Sequence, residues 1–126
     1  MSEVKGYRDL KVWQKAMDLA DMAYDIVDAM PTDYKYTLIS QIQRCAASVP
    51  ANIAEGRARH SDKDFQYHLS VARGSLAELE TLMLLAQKRS LVTSEELHAF
   101  LTLSEEVTKM IYGLKSSLAT PKKMAS

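Results

Sequence analysis

Leu10-Lys11-Val12-Trp13-Gln14-Lys15-Ala16-Met17-Asp18-Leu19-Ala20-Asp21-Met22-Ala23-Tyr24-Asp25-Ile26-Val27-Asp28-Ala29-Met30-Pro31 is the stretch that decides the fold. Leu10, Trp13, Ala16, Met17, Ala20, Ala23, Tyr24, Val27 and Met30 recur at intervals of three and four, the spacing of one helical face. Asp18, Asp21, Asp25 and Asp28 gather on the opposite face. Pro31 ends the run, because it lacks the N–H that would continue the ladder. Such a stripe needs other elements to cover it.

Three further segments supply the cover. With the first helix at about 10–30, the second spans about 34–55, with Leu38, Ile42, Cys45, Val49 and Ile53 as its stripe. Pro50 inside it frees a carbonyl near Ala46, which predicts a kink or a local water site, and Gly56 reads as a C-terminal stop. The third helix, about 62–89, opens with Ser61 as cap and Asp62 and Asp64 at the positive end of the dipole. Thr93 and Glu96 form a capping-box pattern for the fourth, about 94–118, whose stripe is Leu97, Phe100, Leu103, Val107, Ile111, Leu114 and Leu118. Pro121 closes it, and 119–126 reads as a frayed tail. No strand pattern, repeat or low-complexity segment competes. Connections of a few residues force neighbouring helices to run antiparallel. The expectation is an all-α, antiparallel up-down-up-down four-helix bundle, a single domain over 1–126.

Composition agrees and narrows the class. A chain of 126 residues that is 47% hydrophobic and 25% charged can bury its own core and is not a disordered one. Cys45 is the sole cysteine, so no intrachain disulfide forms, and a reducing, cytoplasmic setting is expected. The first residues lack the apolar core of a signal peptide. Leu82 to Ala86 is the longest apolar run, far short of the roughly 20 residues that span a bilayer. No membrane association is expected.

Sixteen basic and sixteen acidic residues cancel in sum but not in space. The expected topology brings residues 1–19, 47–75 and 107–126 to one end, with twelve basic and six acidic residues. The other end holds four basic and ten acidic ones. A positive pole attracts phosphate backbones, which makes Arg8, Lys11, Lys15, Arg57, Arg59 and Lys63 candidate contacts for RNA or a nucleoprotein. A segregated but merely solvated surface is the plainer reading.

The third helix carries apolar residues on two sides. Phe65, Leu69, Ala72, Leu76, Leu79, Met83 and Ala86 form one face, and Tyr67, Val71, Gly74, Leu82 and Leu85 another. Together they cover roughly 220° of arc, beyond the ~100° that an outer bundle helix needs. Ala47, Ala51 and Ala54 add a small-residue edge on the second helix. The second set and that edge are candidates for a homo-oligomer interface, the alternative being that the third helix is simply central.

Catalytic and metal patterns are not apparent. Glu95 and His98 make one Glu-x-x-His pair where a di-metal bundle needs two, and they sit in the first turn of the fourth helix. No metal, cofactor or small-molecule substrate is expected. Cys45 falls on an apolar stripe and reads as core. No Gly-x-Ser-x-Gly elbow occurs, and the glycines at 6, 56, 74 and 113 form no phosphate-cradling loop. One polar constellation remains: Gln41, Arg44, Ser48, Asn52 and Glu55 on the second helix with Ser75 and Glu78 on the third. It reads as a buried structural network. An enzyme centred on Asn52, Glu55 and Glu78 would require an open pocket beside them.

Tyr7-Arg8-Asp9-Leu10-Lys11-Val12-Trp13-Gln14-Lys15-Ala16 resembles the opening of the four-helix-bundle proteins named after 23S ribosomal RNA intervening sequences. So do Gln41-Ile42-Gln43-Arg44-Cys45-Ala46-Ala47-Ser48-Val49-Pro50-Ala51-Asn52-Ile53-Ala54-Glu55-Gly56 and Ala72-Arg73-Gly74-Ser75-Leu76-Ala77-Glu78-Leu79-Glu80-Thr81. The resemblance extends over about Tyr7 to Leu118, and the middle block is its most specific part. It implies a bacterial, non-enzymatic bundle that assembles as a homo-oligomer, a five-membered ring. The family is also similar to accessory bundle proteins of diversity-generating retroelements, which are basic and act with nucleic acid; a net charge of zero departs from that pattern. The family name itself does not establish RNA binding. A protein-interaction scaffold that uses the third helix and the alanine edge is the rival reading.

Overall fold

The computed structural model describes residues 6–119, so the tail at 120–126 and the charges at positions 3, 5, 122 and 123 lie outside the described residues. Two helices begin where their caps dictate. Ser61 Oγ accepts from the Asp64 N–H at 3.0 Å and starts α3, Asp62–Lys88. The Thr93 N–H donates to Glu96 Oε1 at 2.9 Å and the Glu96 N–H to Thr93 Oγ1 at 3.0 Å, a complete capping box at the start of α4, Ser94–Ala119. The first helix, α1, runs Lys11–Asp28 behind a 3₁₀ turn at Tyr7–Asp9, to which Gln14 Nε2 is tied by donating to Arg8 O at 2.8 Å.

The second helix departs from the expected form at both ends. Its α-helical part, α2, is Ser40–Arg57; a 3₁₀ turn at Thr32–Tyr34 and a π turn at Lys35–Ile39 precede it. Tyr34, Leu38 and Ile39 all pack on the core across that wide turn. Gly56 is not the stop. It stays right-handed inside α2 and is buried, and a Cβ there would come within 2.7 Å of His68 Cβ and 2.9 Å of Phe65 Cδ1. Glycine is required at this point because α2 and α3 cross closely. At the end of α3 the left-handed residue is instead Ser90, φ 62°, with the Leu91 N–H returning to Ala86 O at 2.8 Å.

Each helix packs on two neighbours, in the cyclic order α1, α2, α3, α4. Cross-helix bonds fix the directions. Tyr24 Oη donates to Gln43 O at 3.5 Å, Asn52 Oδ1 lies 3.2 Å from His68 Nδ1, and Gln66 Nε2 donates to Lys115 O at 3.3 Å. Early positions of one helix meet late positions of the next, so the bundle is antiparallel, up-down-up-down. Leu19, Ile42, Ile53, Leu69, Leu76, Leu79, Met83, Phe100 and Ile111 fill its centre.

The buried stripe of α1 is only partly the one expected. Ala16, Ala23, Val27 and Met30 are buried as the spacing placed them, but Val12, Leu19 and Ile26 complete the core side, whereas Met17 and Tyr24 are exposed and Trp13 is half-buried. The true stripe is turned by somewhat less than one residue step, ~100°. The side left outside is itself apolar.

Candidate interaction surfaces

The α2–α3 seam holds the polar constellation, with changed membership. Ser48 and Ser75 share a hydrogen bond, Oγ to Oγ, at 2.5 Å. Asn52 Nδ2 donates to Ser48 O at 2.9 Å and to Ser48 Oγ at 3.3 Å, which leaves its Oδ1 as the acceptor facing His68 Nδ1 at 3.2 Å. His68 Nδ1 therefore carries the proton. His68 Nε2 faces Glu55 Oε2 at 3.9 Å, and Glu55 also takes a hydrogen bond from Arg59. Gln41 and Arg44 are exposed and lie outside this chain of bonds, and the carbonyl that Asn52 reaches is that of Ser48, not Ala46. Glu78 sits apart as well, against Cys45. Burial pushes the Cys45 thiol up to about 11, and the Glu78 carboxylate, which accepts from it, adds to the rise. An amide separates the serines from the histidine, so the seam pairs no nucleophile with a base.

Between α1 and α2 runs an open groove of about 750 Å³. Trp13, Met17, Ala20 and Tyr24 form one wall, and Ala47, Pro50, Ala51 and Ala54 the other. The expected alanine edge therefore faces the unexpected apolar side of α1. Tyr7 closes one end of the groove against Ala58 and stacks edge-on to Trp13, ring centroids 5.2 Å apart. Glu55 touches the groove, but neither Asn52 nor Glu78 lines it.

On α3, Tyr67 and Leu85 are exposed, Val71 is half-buried, and Gly74 is exposed with nothing within 4 Å of a Cβ built on it. Leu82 belongs to the core, only 9% exposed. It sits in a crevice with Tyr34, Leu38 and Leu85, because the π turn folds over it.

The pole residues sit where the topology sends them, but several are already engaged. Lys15 pairs with Glu106, Arg59 with Glu55, and Lys109 with Glu105 at 3.7 Å. Arg8 lies over the Tyr7 ring, 5.6 Å from its centroid. Lys11, Lys63 and Arg8 form no ion pair among the described residues. Glu105 and Glu106, assigned to the opposite end by position, reach across the divide, so the polarisation is weaker than the count suggests.

The family model described as 23S rRNA-intervening sequence protein matches residues 8–113. The chain belongs to that family. Its fold is similar to the crystal structure of a protein of unknown function from the S23 ribosomal protein family of Bacteroides thetaiotaomicron VPI-5482. The two are 24% identical with a TM-score of 0.77, covering 83% of this chain and 95% of that one. A likeness at that identity speaks for the fold alone. No curated protein matches the chain.

In this member of the 23S rRNA-intervening sequence protein family, the matched segment contains the seam, most of the groove and the outer face of α3. His68 and Arg59 are the seam residues that sequence reading missed. A signal was present: antiparallel partners have position numbers of nearly constant sum, and 48 with 75 points to 52 with a residue near 70. Among the described residues, no three His, Cys, Asp or Glu side chains converge on a metal-sized site, and no helix is long and apolar enough to cross a membrane.

Proposed function

We propose that this protein is a non-catalytic, cytoplasmic bundle that assembles with copies of itself and presents its basic pole to RNA or a nucleoprotein. The observation that carries the reading is the antiparallel topology, which gathers the start of α1, the α2–α3 connection and the end of α4 at one end. Arg8, Lys11, Arg57, Arg59 and Lys63 come from the first two of these. A ring of like-oriented subunits adds these poles into one positive face, which is how a molecule of zero net charge holds a polyanion. Titrating labelled RNA at rising salt tests it. Binding should weaken steeply with salt, and the variant with Arg57, Arg59 and Lys63 all changed to Ala should bind far less. Salt-insensitive binding, or none, overturns the reading.

A second reading, a protein-interaction scaffold without nucleic-acid contact, is favoured by the α1–α2 groove. An open apolar channel of this size beside a half-buried Trp13 is the kind of surface a partner helix covers. Under this reading the triple variant behaves like the native protein, and Ala51→Glu, which sets a charge in the groove wall, abolishes the partner contact.

A further inference from the structure

One cluster uses two further basic residues of the positive end, Arg73 and Lys115, and shares none of the six pole candidates and no residue of the groove. On the α3–α4 seam, the Arg73 guanidinium lies over the Tyr112 ring, Cζ 5.8 Å from the centroid. Its Nε and Nη1 are buried and have no hydrogen-bond partner. Two buried guanidinium nitrogens without acceptors carry a desolvation cost that the ring contact offsets only in part, and an arriving anion reduces it. One turn along each helix, Lys115 Nζ donates to Ser70 Oγ at 2.8 Å, so the serine hydroxyl hydrogen is left to point elsewhere. Neither cation forms an ion pair among the described residues. The surroundings contain no competing acid: positions 65–77 of α3 and 107–119 of α4 hold no Asp or Glu. Glu80, further along the same side of α3, is taken by Ser104.

Tyr112 gives the cluster its selectivity. Tyr112 is 52% exposed, and the Arg73 guanidinium lies against its ring. Two cations and a hydroxyl suit a phosphate, and an exposed ring one turn away suits an unstacked base. A duplex can use the first feature but not the second, because its bases are stacked and paired.

We propose that the α3–α4 seam is a subsite for single-stranded nucleic acid, with Arg73, Lys115 and Ser70 holding a backbone phosphate and Tyr112 stacking a base. Tilting of the exposed Tyr112 ring opens Arg73 Nε and Nη1 to the phosphate. The subsite rests on the polyanion reading above and deepens it by naming the strand form.

Fluorescence anisotropy with labelled oligo-uridine and with a labelled RNA duplex tests the subsite, after circular dichroism has verified that each variant folds. Tyr112→Ala and Arg73→Gln should each weaken oligo-uridine binding about ten-fold or more, Tyr112→Phe should bind like the native protein, and duplex binding should change little with Tyr112→Ala. Should Arg73→Gln fail to fold, the exposed Tyr112 position decides alone. Native-like oligo-uridine binding by Tyr112→Ala overturns the subsite. If the Arg57, Arg59 and Lys63 variant then loses both probes, the pole reading stands without it; a native protein that binds neither probe removes both.

Discussion

Gly56 and Gly74 are the same letter in two unrelated situations. At Gly56 the α3 chain is so near that a Cβ would meet His68 Cβ at 2.7 Å; at Gly74 it would meet nothing within 4 Å. Gly56→Ala should therefore lower stability by about 1–3 kcal/mol through overpacking. Gly74→Ala should raise it by about 0.5–1 kcal/mol, since an open mid-helix alanine costs less backbone entropy. Urea denaturation of both variants reads the difference. Cys45 makes a second residue-scale test. Its thiol titrates near 9.0 when the chain is unfolded and near 11 when it is folded, so the native state holds the proton longer. Below pH 9 both states are protonated and the group adds no pH dependence. Between about 9 and 11 the unfolded chain ionises first, so stability falls as pH rises, by about 1.4 kcal/mol per unit. Cys45→Ala should remove that component from an alkaline denaturation series.

At the scale of the helix, caps and periodicity were legible, and the orientation of α1 was legible only in part. Ser61 and the Thr93–Glu96 box start α3 and α4 as expected. Thr93→Ala should cost about 1 kcal/mol, readable as a lower thermal midpoint, while Thr102→Ala on the exposed side of the same helix changes little. Spacing placed the buried stripes of α2 and α3 correctly, although α3 also has Tyr67, Val71, Leu84 and Leu85 on its other sides. It turned that of α1 toward Trp13, Met17 and Tyr24 and passed over Val12, Leu19 and Ile26, because intervals of three and four fit either apolar side of that helix. The π turn was invisible for a different reason: nothing in Lys35-Tyr36-Thr37-Leu38-Ile39 forbids an α turn, and its wide form depends on where the core needs Leu38 and Ile39. His68 escaped notice as an isolated polar residue between Tyr67 and Leu69, since its partner lies across the α2–α3 connection.

For the whole molecule, the direction of each helix was readable from loop length, and charge position followed from direction. What position alone could not give is reach: Glu106 is assigned to one end yet neutralises Lys15 at the other. The outward surfaces also divide in a way no helical wheel displays. The groove opens between α1 and α2, while Tyr67, Gly74 and Leu85 look outward from α3. A contact that joined these two patches would be head-to-tail, each copy offering a different patch to each neighbour. Such a chain of contacts is vulnerable to a poisoned link. A copy carrying Ala51→Glu would keep its α3 side intact while its groove refuses a guest, so it would dock once and then halt growth. Mixed with native protein, it should act as a terminator at sub-equal amounts, and mass photometry of the mixture should display short, truncated species where a self-complementary contact would leave native dimers untouched.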